Sequence, residues 1–270
     1  MYPNVLSLDA PIVAVTWLYV FKSTWDVNYI EPLLPVVLGL FVWIVYATDR
    51  LLDCKLRPQT SFPLRHQFHQ AHAGFFTMAI VVALLVTIAL SLSVLQWSIV
   101  QTAIMPVAAT VAFFIISFFS TSSERVSYAK NFLAGYAFAW GVGSGLAGLM
   151  GHSLYSNWMR LVSPEMLVFG LLCMINITAV DLWIKGSDEL DEDADEWALT
   201  MPLMILAFFS VVLMRQDQQE HTKTFYISIL VAAALMYVVN RMRRRLSPSF
   251  LRMSADLILL LAAAFYFLIV

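Results

Sequence analysis

Long apolar runs separated by short polar segments extend through the whole chain. Several runs reach the ~20 residues that an α-helix needs to cross the hydrocarbon core of a bilayer. None shows the alternation of apolar and polar residues that is typical of outer-membrane barrel strands. Because backbone polar groups in lipid must be satisfied within their own segment, the pattern predicts membrane-spanning helices. We predict nine of them, at about residues 6–21, 30–48, 74–95, 100–119, 131–150, 165–184, 199–214, 224–240 and 254–270.

The amino-acid composition is that of an integral membrane protein. Of the 270 residues, 60% are hydrophobic and only 13% are charged, and the mean hydropathy is +0.77. About a quarter of the residues of a soluble domain are charged, so the composition excludes that class. No linker, repeat or low-complexity tract interrupts the runs. We therefore predict an all-α, polytopic membrane protein with one domain over residues 1–270, in contact with lipid and without a nucleic-acid partner.

Basic residues are distributed unevenly between the two predicted faces of the membrane. Twelve of the 16 Lys and Arg residues fall in the loops after spans two, four, six and eight, and four fall on the other side. Short loops rich in Lys and Arg face the cytoplasm in multi-pass membrane proteins. We therefore expect the even-numbered loops to be cytoplasmic, and we expect the protein to lie in a bacterial inner membrane.

The second span ends in the segment YATDRLLDCKLRP, which carries two aspartates. In a helix Tyr46, Asp49 and Asp53 lie on one face, since they are spaced three and four residues apart. Two carboxylates one turn apart repel each other unless they are solvated or a cation lies between them. The segment alone leaves two interpretations open. It holds either boundary charges neutralised by Arg50 and Arg57, or one end of a metal site.

A second acidic cluster follows the sixth span, in the segment SDELDEDADEWALTMP. It holds seven carboxylates within nine residues and no basic residue among them. Such a run is usually a solvated loop, but this one lies on the same predicted face as Asp49 and Asp53. Mg²⁺ prefers oxygen ligands and is commonly held by one or two carboxylates together with substrate phosphates. With Arg57, Arg65 and Lys130 nearby for phosphate oxygens, the two clusters indicate a magnesium and phosphate site.

The first acidic segment resembles the first aspartate-rich motif of the UbiA superfamily of intramembrane prenyltransferases, which have nine helices. That motif reads Asn-Asp-x-x-Asp-x-x-x-Asp and follows the second helix. Asp49 and Asp53 match its last two aspartates. Val45 and Tyr46 stand where the family has its Asn and its first Asp. The basic, proline-containing segment LRPQTSFPLR is similar to the loop that follows the motif in the family.

The second acidic segment resembles the family's second motif, Lys-Asp-x-Glu-Gly-Asp, which is followed by Thr-Leu-Pro. Here DELDED places Glu189, Asp191 and Asp193 on the acidic positions, and TMP keeps the spacing of the tripeptide. The segment AKNFLAGYAFAWGVGSG is similar to the family's fifth helix, which begins with a lysine followed by small residues; the lysine here is Lys130. The resemblance implies a single UbiA-like domain with a central cavity that opens to the cytoplasmic side.

The activity that this resemblance implies is the Mg²⁺-dependent ionisation of an isoprenoid diphosphate and transfer of its prenyl group to an aromatic or lipid acceptor. The expected Mg²⁺ ligands, which are also the expected catalytic carboxylates, are Asp49, Asp53, Glu189 and Asp193. The side chains expected to contact the diphosphate are Arg57, Arg65, Lys130, His66 and His69. Tyr46 is expected at the reacting end, where its ring would stabilise a cation or its hydroxyl would bond the diphosphate.

An allylic carbocation requires a dry, aromatic-lined cavity. The chain is 14% aromatic, and its fifth span carries Tyr136, Phe138 and Trp140, although ordinary helix packing also explains such residues. His66, His69 and His72 are spaced in steps of three, which leaves structural, diphosphate-binding and metal-binding roles open.

Two other functions stay open beside the transferase. A terpene cyclase would perform the same ionisation without an acceptor. A non-enzymatic transporter or scaffold is the other alternative, and a transporter is disfavoured because nearly all charges lie at span ends rather than near mid-membrane. Prenyl chain length, the acceptor and the oligomeric state are not defined by the sequence.

Overall fold

The computed structural model describes residues 7–56, 72–119, 128–151, 153–185 and 192–270. Every regular element within these residues is helical. In chain order the α-helices are α1 (Asp9–Thr24), α2 (Leu34–Leu56), α3 (Ala73–Ser93), α4 (Trp97–Thr102), α5 (Ile104–Phe119), α6 (Tyr128–Met150), α7 (Leu154–Leu161), α8 (Pro164–Lys185), α9 (Glu192–Gln216), α10 (Glu220–Met242) and α11 (Pro248–Ile269). A 3₁₀ turn, Arg243–Arg245, joins α10 to α11.

Eight helical segments in the described part of the chain are long and apolar enough to cross a membrane. The chain is therefore an integral, multi-pass membrane protein of the all-α class, as predicted. The segments match predicted spans two to nine and are Leu34–Leu52, Ala73–Ser93, Trp97–Phe119, Tyr128–Met150, Pro164–Trp183, Trp197–Gln216, Glu220–Arg245 and Pro248–Ile269. The first predicted span corresponds to α1, whose 16 residues rise only about 24 Å. A ninth crossing and the central cavity stay predictions.

The fourth predicted span is divided into α4 and α5 at Ala103. Pro106 explains the break, because it has no backbone N–H to donate to the Thr102 carbonyl and its ring crowds that carbonyl. The predicted span is nevertheless present as one segment, Trp97–Phe119, with this interruption inside it.

The predicted boundaries of two helices also differ from the structure. The second span was predicted to end near residue 48, but α2 continues to Leu56, so both motif aspartates lie on the helix. The seventh span was predicted to begin near residue 199, whereas α9 begins at Glu192 within the acidic segment. Acidic residues suit the first turn of a helix because its N-terminus carries partial positive charge. The segment from 192 onward is therefore helix and not loop.

The centre of the bundle is occupied by α1, which contacts α2, α6, α10 and α11. Its side chains Trp17 and Phe21 are fully buried. The Trp17 ring lies 4.5 Å from the Phe169 ring of α8, and the Phe21 ring lies 5.3 Å from the Phe225 ring of α10. The Trp17 indole donates a hydrogen bond to the Leu259 carbonyl of α11 at 3.2 Å. The first predicted span is thus packed against protein on several sides.

Small residues let α6 approach its neighbours closely. A Cβ atom on Gly135 would lie 2.5 Å from the Met174 backbone nitrogen of α8, and one on Gly148 would lie 2.6 Å from the Ile99 Cα of α4. Helices in membranes associate through such close backbone contacts, since lipid is as apolar as their side chains. The glycines of α6 therefore place its polar first turn directly beside α8.

Candidate functional site

Five of the described helices form one packed group that includes α1. In this group α1 contacts α2, α6 and α11, α2 contacts α6, and α8 contacts α6 and α11. Each helix contributes polar side chains toward one end of the group, which we call the polar end. Its members are Ser7, Asp9, Tyr46, Asp49, Arg50, Lys130, Asn131, Thr178, Asp181, Arg252 and Asp256. The contacts described below link several of them in pairs and small groups.

Arg50 joins α2 to the beginning of α1. Its side chain is 7% exposed, and its Nη1 donates to the Ser7 hydroxyl at 2.6 Å. Its Nη2 lies 3.6 Å from an Asp9 carboxylate oxygen. One of the two interpretations of the sequence had Arg50 and Arg57 neutralise the acidic pair; the structure places Arg50 beside Asp9. Asp9 is an ionisable residue at the start of an apolar run, and this feature of the sequence could have indicated that it has a charged partner.

Asp49 and Lys130, which were predicted to bind metal and diphosphate respectively, are brought together where α2 meets α6. The Lys130 ammonium lies 3.9 Å from an Asp49 carboxylate oxygen, and the side chains are 16% and 33% exposed. The same ammonium lies 5.1 Å from the centre of the Phe113 ring of α5. At 3.9 Å the two charges attract but are too far apart for a direct hydrogen bond. The pair is therefore an electrostatic contact between α2 and α6.

Asn131 links α6 to α8. Its amide nitrogen donates to the Thr178 hydroxyl and to an Asp181 carboxylate oxygen, both at 3.2 Å. One turn before Asp181, the Asn176 side chain is 7% exposed and its carbonyl oxygen has no hydrogen-bond partner among the described residues. Asp181 is an ionisable group near the end of the sixth predicted span. The structure gives it a partner on the neighbouring helix.

Tyr46 lies on α2. Its side chain is half-buried against the core, and Asp256, Asp9 and Arg50 all act electrostatically on its hydroxyl. These charges come from α11, α1 and α2. Among the described residues, no hydrogen bond of the Tyr46 hydroxyl is observed. The predicted site residue Tyr46 therefore lies on α2 within the influence of charges from three helices.

The last helix contributes two residues that sequence analysis missed, Arg252 and Asp256. Both lie in the first turns of α11, which begins at Pro248 and packs against α1. Their spacing of four residues places them on one face of α11. The sequence could have indicated both residues, because two charged residues spaced four apart stand at the start of an apolar helix.

The aromatic residues predicted to line a cavity have varied roles. The Tyr136 hydroxyl donates to the Leu167 carbonyl at 3.1 Å, and the Trp140 indole donates to the Leu161 carbonyl at 2.9 Å. These two residues fasten α6 to the segment around α8, which is the packing role that was the alternative interpretation. Phe138 is partly buried, with its ring 6.4 Å from the Phe169 ring. Phe169 belongs to the aromatic cluster around α1, so Phe138 extends that cluster.

Several predicted site residues lie outside what the structure describes. The backbones of Asp53 and Asp193 belong to α2 and α9, but their side chains are not described. The others outside the described residues are Arg57, Arg65, His66, His69 and Glu189. Among the described residues, no group of three His, Cys, Asp or Glu side chains is close enough to hold a metal ion.

Comparison of the chain with protein-family models, with curated proteins and with solved structures gave no match. The resemblance to the UbiA superfamily therefore depends on the motifs and the order of helices, and it stays a prediction.

Proposed function

We propose that this protein is an Mg²⁺-dependent intramembrane prenyltransferase that ionises an isoprenoid diphosphate and transfers the prenyl group to an aromatic or lipid acceptor. The observation that carries the proposal is the polar end of the five-helix group. Carboxylates and cations of α1, α2, α6 and α8 make contacts between helices there, while aromatic side chains fill the centre of the bundle. An amphiphile with a charged head and an apolar tail matches this division of polar and aromatic surfaces.

The polar end is suited to an anionic head group. Lys130 carries its ammonium 3.9 Å from an Asp49 carboxylate oxygen and 5.1 Å from the centre of the Phe113 ring, and a cation there suits a phosphate oxygen. The Tyr46 hydroxyl has no hydrogen-bond partner in the described part of the chain and supplies a neutral donor. As the allylic C–O bond breaks, the diphosphate leaves with the electron pair, and these donors stabilise its growing charge.

Mg²⁺ fits the chemistry of the carboxylates that the described residues contribute. Asp49 offers hard oxygen donors, is partly exposed and lies beside the cation that would contact phosphate. Asp49, Asp53, Glu189 and Asp193 would hold the ion, and of these the structure describes the side chain of Asp49 alone. When bound, Mg²⁺ would neutralise negative charge on the diphosphate and its leaving group. On this proposal the polar end faces the cytoplasm.

The bundle centre supplies the dry environment that the reaction needs. Trp17, Phe21 and Phe169 are buried, so water has no ready access to the region below the polar end. Their ring faces can also stabilise positive charge on a prenyl chain. The acceptor would capture the cation and lose a proton to restore neutrality.

Turnover by the purified full-length chain tests the proposal. The protein in nanodiscs would receive isoprenoid diphosphates of several lengths with Mg²⁺, with and without aromatic and lipid acceptors, and pyrophosphate release would be followed. We expect release that requires an acceptor and is strongly reduced by Asp49→Asn. Glu220→Gln is the matched control, because Glu220 is 84% exposed and begins α10 at the opposite end of the bundle.

Each other outcome has a definite meaning. Acceptor-independent release with a cyclic hydrocarbon product would replace the transferase by a terpene cyclase. Equal release by wild type and Asp49→Asn would remove Asp49 from the site. No release with any tested substrate would contradict an enzymatic function and favour a transporter or scaffold.

A further inference from the structure

The short helix α7 joins two membrane-spanning helices, α6 and α8, at the end of α6 that is opposite to the polar end. The Ser153 hydroxyl accepts a hydrogen bond from the Ser156 N–H at 3.2 Å, and the Ser156 hydroxyl accepts one from the Ser153 N–H at 3.2 Å. This reciprocal capping box fixes the start of the helix. The connection between the two spans is therefore a defined helix.

The helix α7 lies alongside the last turns of α6 and not beyond them. The Trp140 indole donates to the Leu161 carbonyl at 2.9 Å, and a Cβ atom on Gly143 would lie 3.3 Å from the Leu161 Cδ2. Gly143 precedes Met150, the last residue of α6, by about 10 Å along the helix axis. The end of α7 is thus level with part of a segment that is apolar enough to cross a membrane.

One face of α7 is fastened to the bundle. The Asn157 side chain is buried and is hydrogen-bonded to the Thr102 hydroxyl of α4 at 3.0 Å. Leu161 is fully buried. The guanidinium carbon of Arg160 lies 5.5 Å from the centre of the Trp25 ring, which follows the end of α1. These contacts with several helices fix how α7 is rotated about its own axis.

A second face of α7 carries apolar side chains that remain exposed, and we call it the α7 stripe. Its members are between 37% and 73% exposed and are Tyr155, Trp158, Met159 and Val162. Their spacings of three, four and seven residues place them on one side of a helix. Ser156 and Arg160 are also exposed, stand four residues apart and form a third, polar side.

A helix with these three faces suits the boundary of a bilayer, where protein, hydrocarbon and water meet. Trp and Tyr are enriched at this boundary because their rings are amphipathic. The neighbouring helix α4, which contacts α7, begins at Trp97, whose side chain is 63% exposed at the same end of the bundle. The α7 stripe is therefore continuous with the lipid-facing surface of the spanning helices.

We propose that α7 is an interfacial helix whose stripe inserts into the boundary between lipid head groups and acyl chains. Its partner is the bilayer leaflet opposite to the polar end. Ser156 and Arg160 then face the head groups and water, while Asn157 and Leu161 hold the helix to the protein. This proposal is independent of the proposed function.

Spin-label accessibility in nanodiscs tests this placement. A cysteine-free chain, Cys54→Ser with Cys173→Ala, would receive one label through Tyr155→Cys or Met159→Cys. Collision rates would be measured with oxygen, which concentrates in lipid, and with a nickel chelate, which stays in water. We expect a several-fold higher oxygen-to-nickel ratio at both positions than at the control, Gln218→Cys. Gln218 is exposed in the loop between α9 and α10, at the same end of the bundle.

Fluorescence quenching keeps the proposal testable if the cysteine-free chain fails to fold. The chain with its native cysteines would be placed in phosphatidylcholine that is brominated near the head-group end of its acyl chains. We expect Trp158→Phe to lower the quenched part of the tryptophan emission, since Trp158 would lie within reach of the bromine atoms. Trp17→Phe is the matched control, because Trp17 is fully buried and should contribute only unquenched emission.

Three results would overturn the proposal. Labels at Tyr155 and Met159 with the ratio found at Gln218 would show that the stripe faces water. Low collision rates with both reagents would show that protein covers the stripe, for example in a second copy of the chain. Equal effects of Trp158→Phe and Trp17→Phe on quenching would place Trp158 away from lipid. None of these measurements involves turnover, so their failure leaves the proposed transferase standing.

Discussion

The Lys130 ammonium lies 3.9 Å from the Asp49 carboxylate, across the boundary between α6 and α2. These residues belong to separate predicted motifs, and the fold brings an expected metal ligand beside an expected phosphate ligand. The 33% exposure of Asp49 keeps this carboxylate accessible from outside the bundle. If the proposed function is correct, this contact is where the diphosphate and its counter-ion would bind.

Replacing Lys130 by Gln should raise the KM for the isoprenoid diphosphate by about tenfold, because a charge-assisted contact to phosphate is lost. Steady-state pyrophosphate release at saturating Mg²⁺ would provide the value. Lys223→Gln is the control, since Lys223 forms an exposed pair with Glu220 at the other end of the bundle, 2.8 Å apart. An unchanged KM in Lys130→Gln would contradict phosphate contact by Lys130.

Replacing Asp9 by Asn should destabilise the protein by about 3 kcal/mol, because the largely buried Arg50 charge loses its carboxylate partner. Thermal unfolding in detergent would detect this loss as a lower melting temperature. The double variant Asp9→Asn with Arg50→Gln should recover part of the loss, since it also removes the buried cation. Glu220→Gln breaks an exposed pair and should change stability by less than about 1 kcal/mol. Equal melting temperatures for Asp9→Asn and Glu220→Gln would show that the buried pair contributes no special stability.

Hydropathy predicted eight of the helices because lipid-crossing segments must be long, apolar and internally hydrogen-bonded. It did not predict that α1 packs inside the bundle, because an apolar helix has the same hydropathy whether lipid or protein surrounds it. Only the structure shows that protein surrounds Trp17. Its ring packs against the Phe169 ring, and its indole N–H donates to the Leu259 carbonyl. The break at Ala103 could have been predicted from the sequence, since Pro106 stands three residues later.

The candidate site, like the fold, could be predicted only in part from the sequence. Spacing placed Tyr46 and Asp49 on one helix face, and charge counting placed Lys130 on the same side of the membrane. Neither could supply the contacts between helices, because pattern arguments relate residues within one helix only. Asp9 was missed for that reason: its significance arises from Arg50, which lies on another helix.

Gly135 should tolerate no side chain. A Cβ at this position would lie 2.5 Å from the Met174 backbone nitrogen, which cannot rotate away as a side chain can. We expect Gly135→Ala to destabilise the protein by about 1–3 kcal/mol through overpacking, with a lower melting temperature. Gly141→Ala in the same helix is the control, because no atom lies within 4 Å of its Cβ. That change should be neutral or stabilising by about 0.5–1 kcal/mol, since alanine favours a helix interior. Equal effects of the two substitutions would show that α6 does not depend on close contact with α8.

Tyr46→Phe separates the hydroxyl from the ring at the position where the resembled motif has an aspartate. The hydroxyl is acted on by Asp256, Asp9 and Arg50 and has no hydrogen bond to a described residue, so its removal should cost little stability. We expect the KM for the isoprenoid diphosphate to rise by about three- to tenfold, since one hydrogen bond to the ligand is lost. The control is Tyr136→Phe, whose hydroxyl bonds the Leu167 carbonyl at 3.1 Å and should affect the melting temperature more than the KM. If Tyr46→Phe instead lowers kcat at constant KM, the hydroxyl acts only in the transition state. If neither parameter changes while Tyr46→Leu abolishes turnover, the ring alone matters, as expected for stabilisation of a cation by its face.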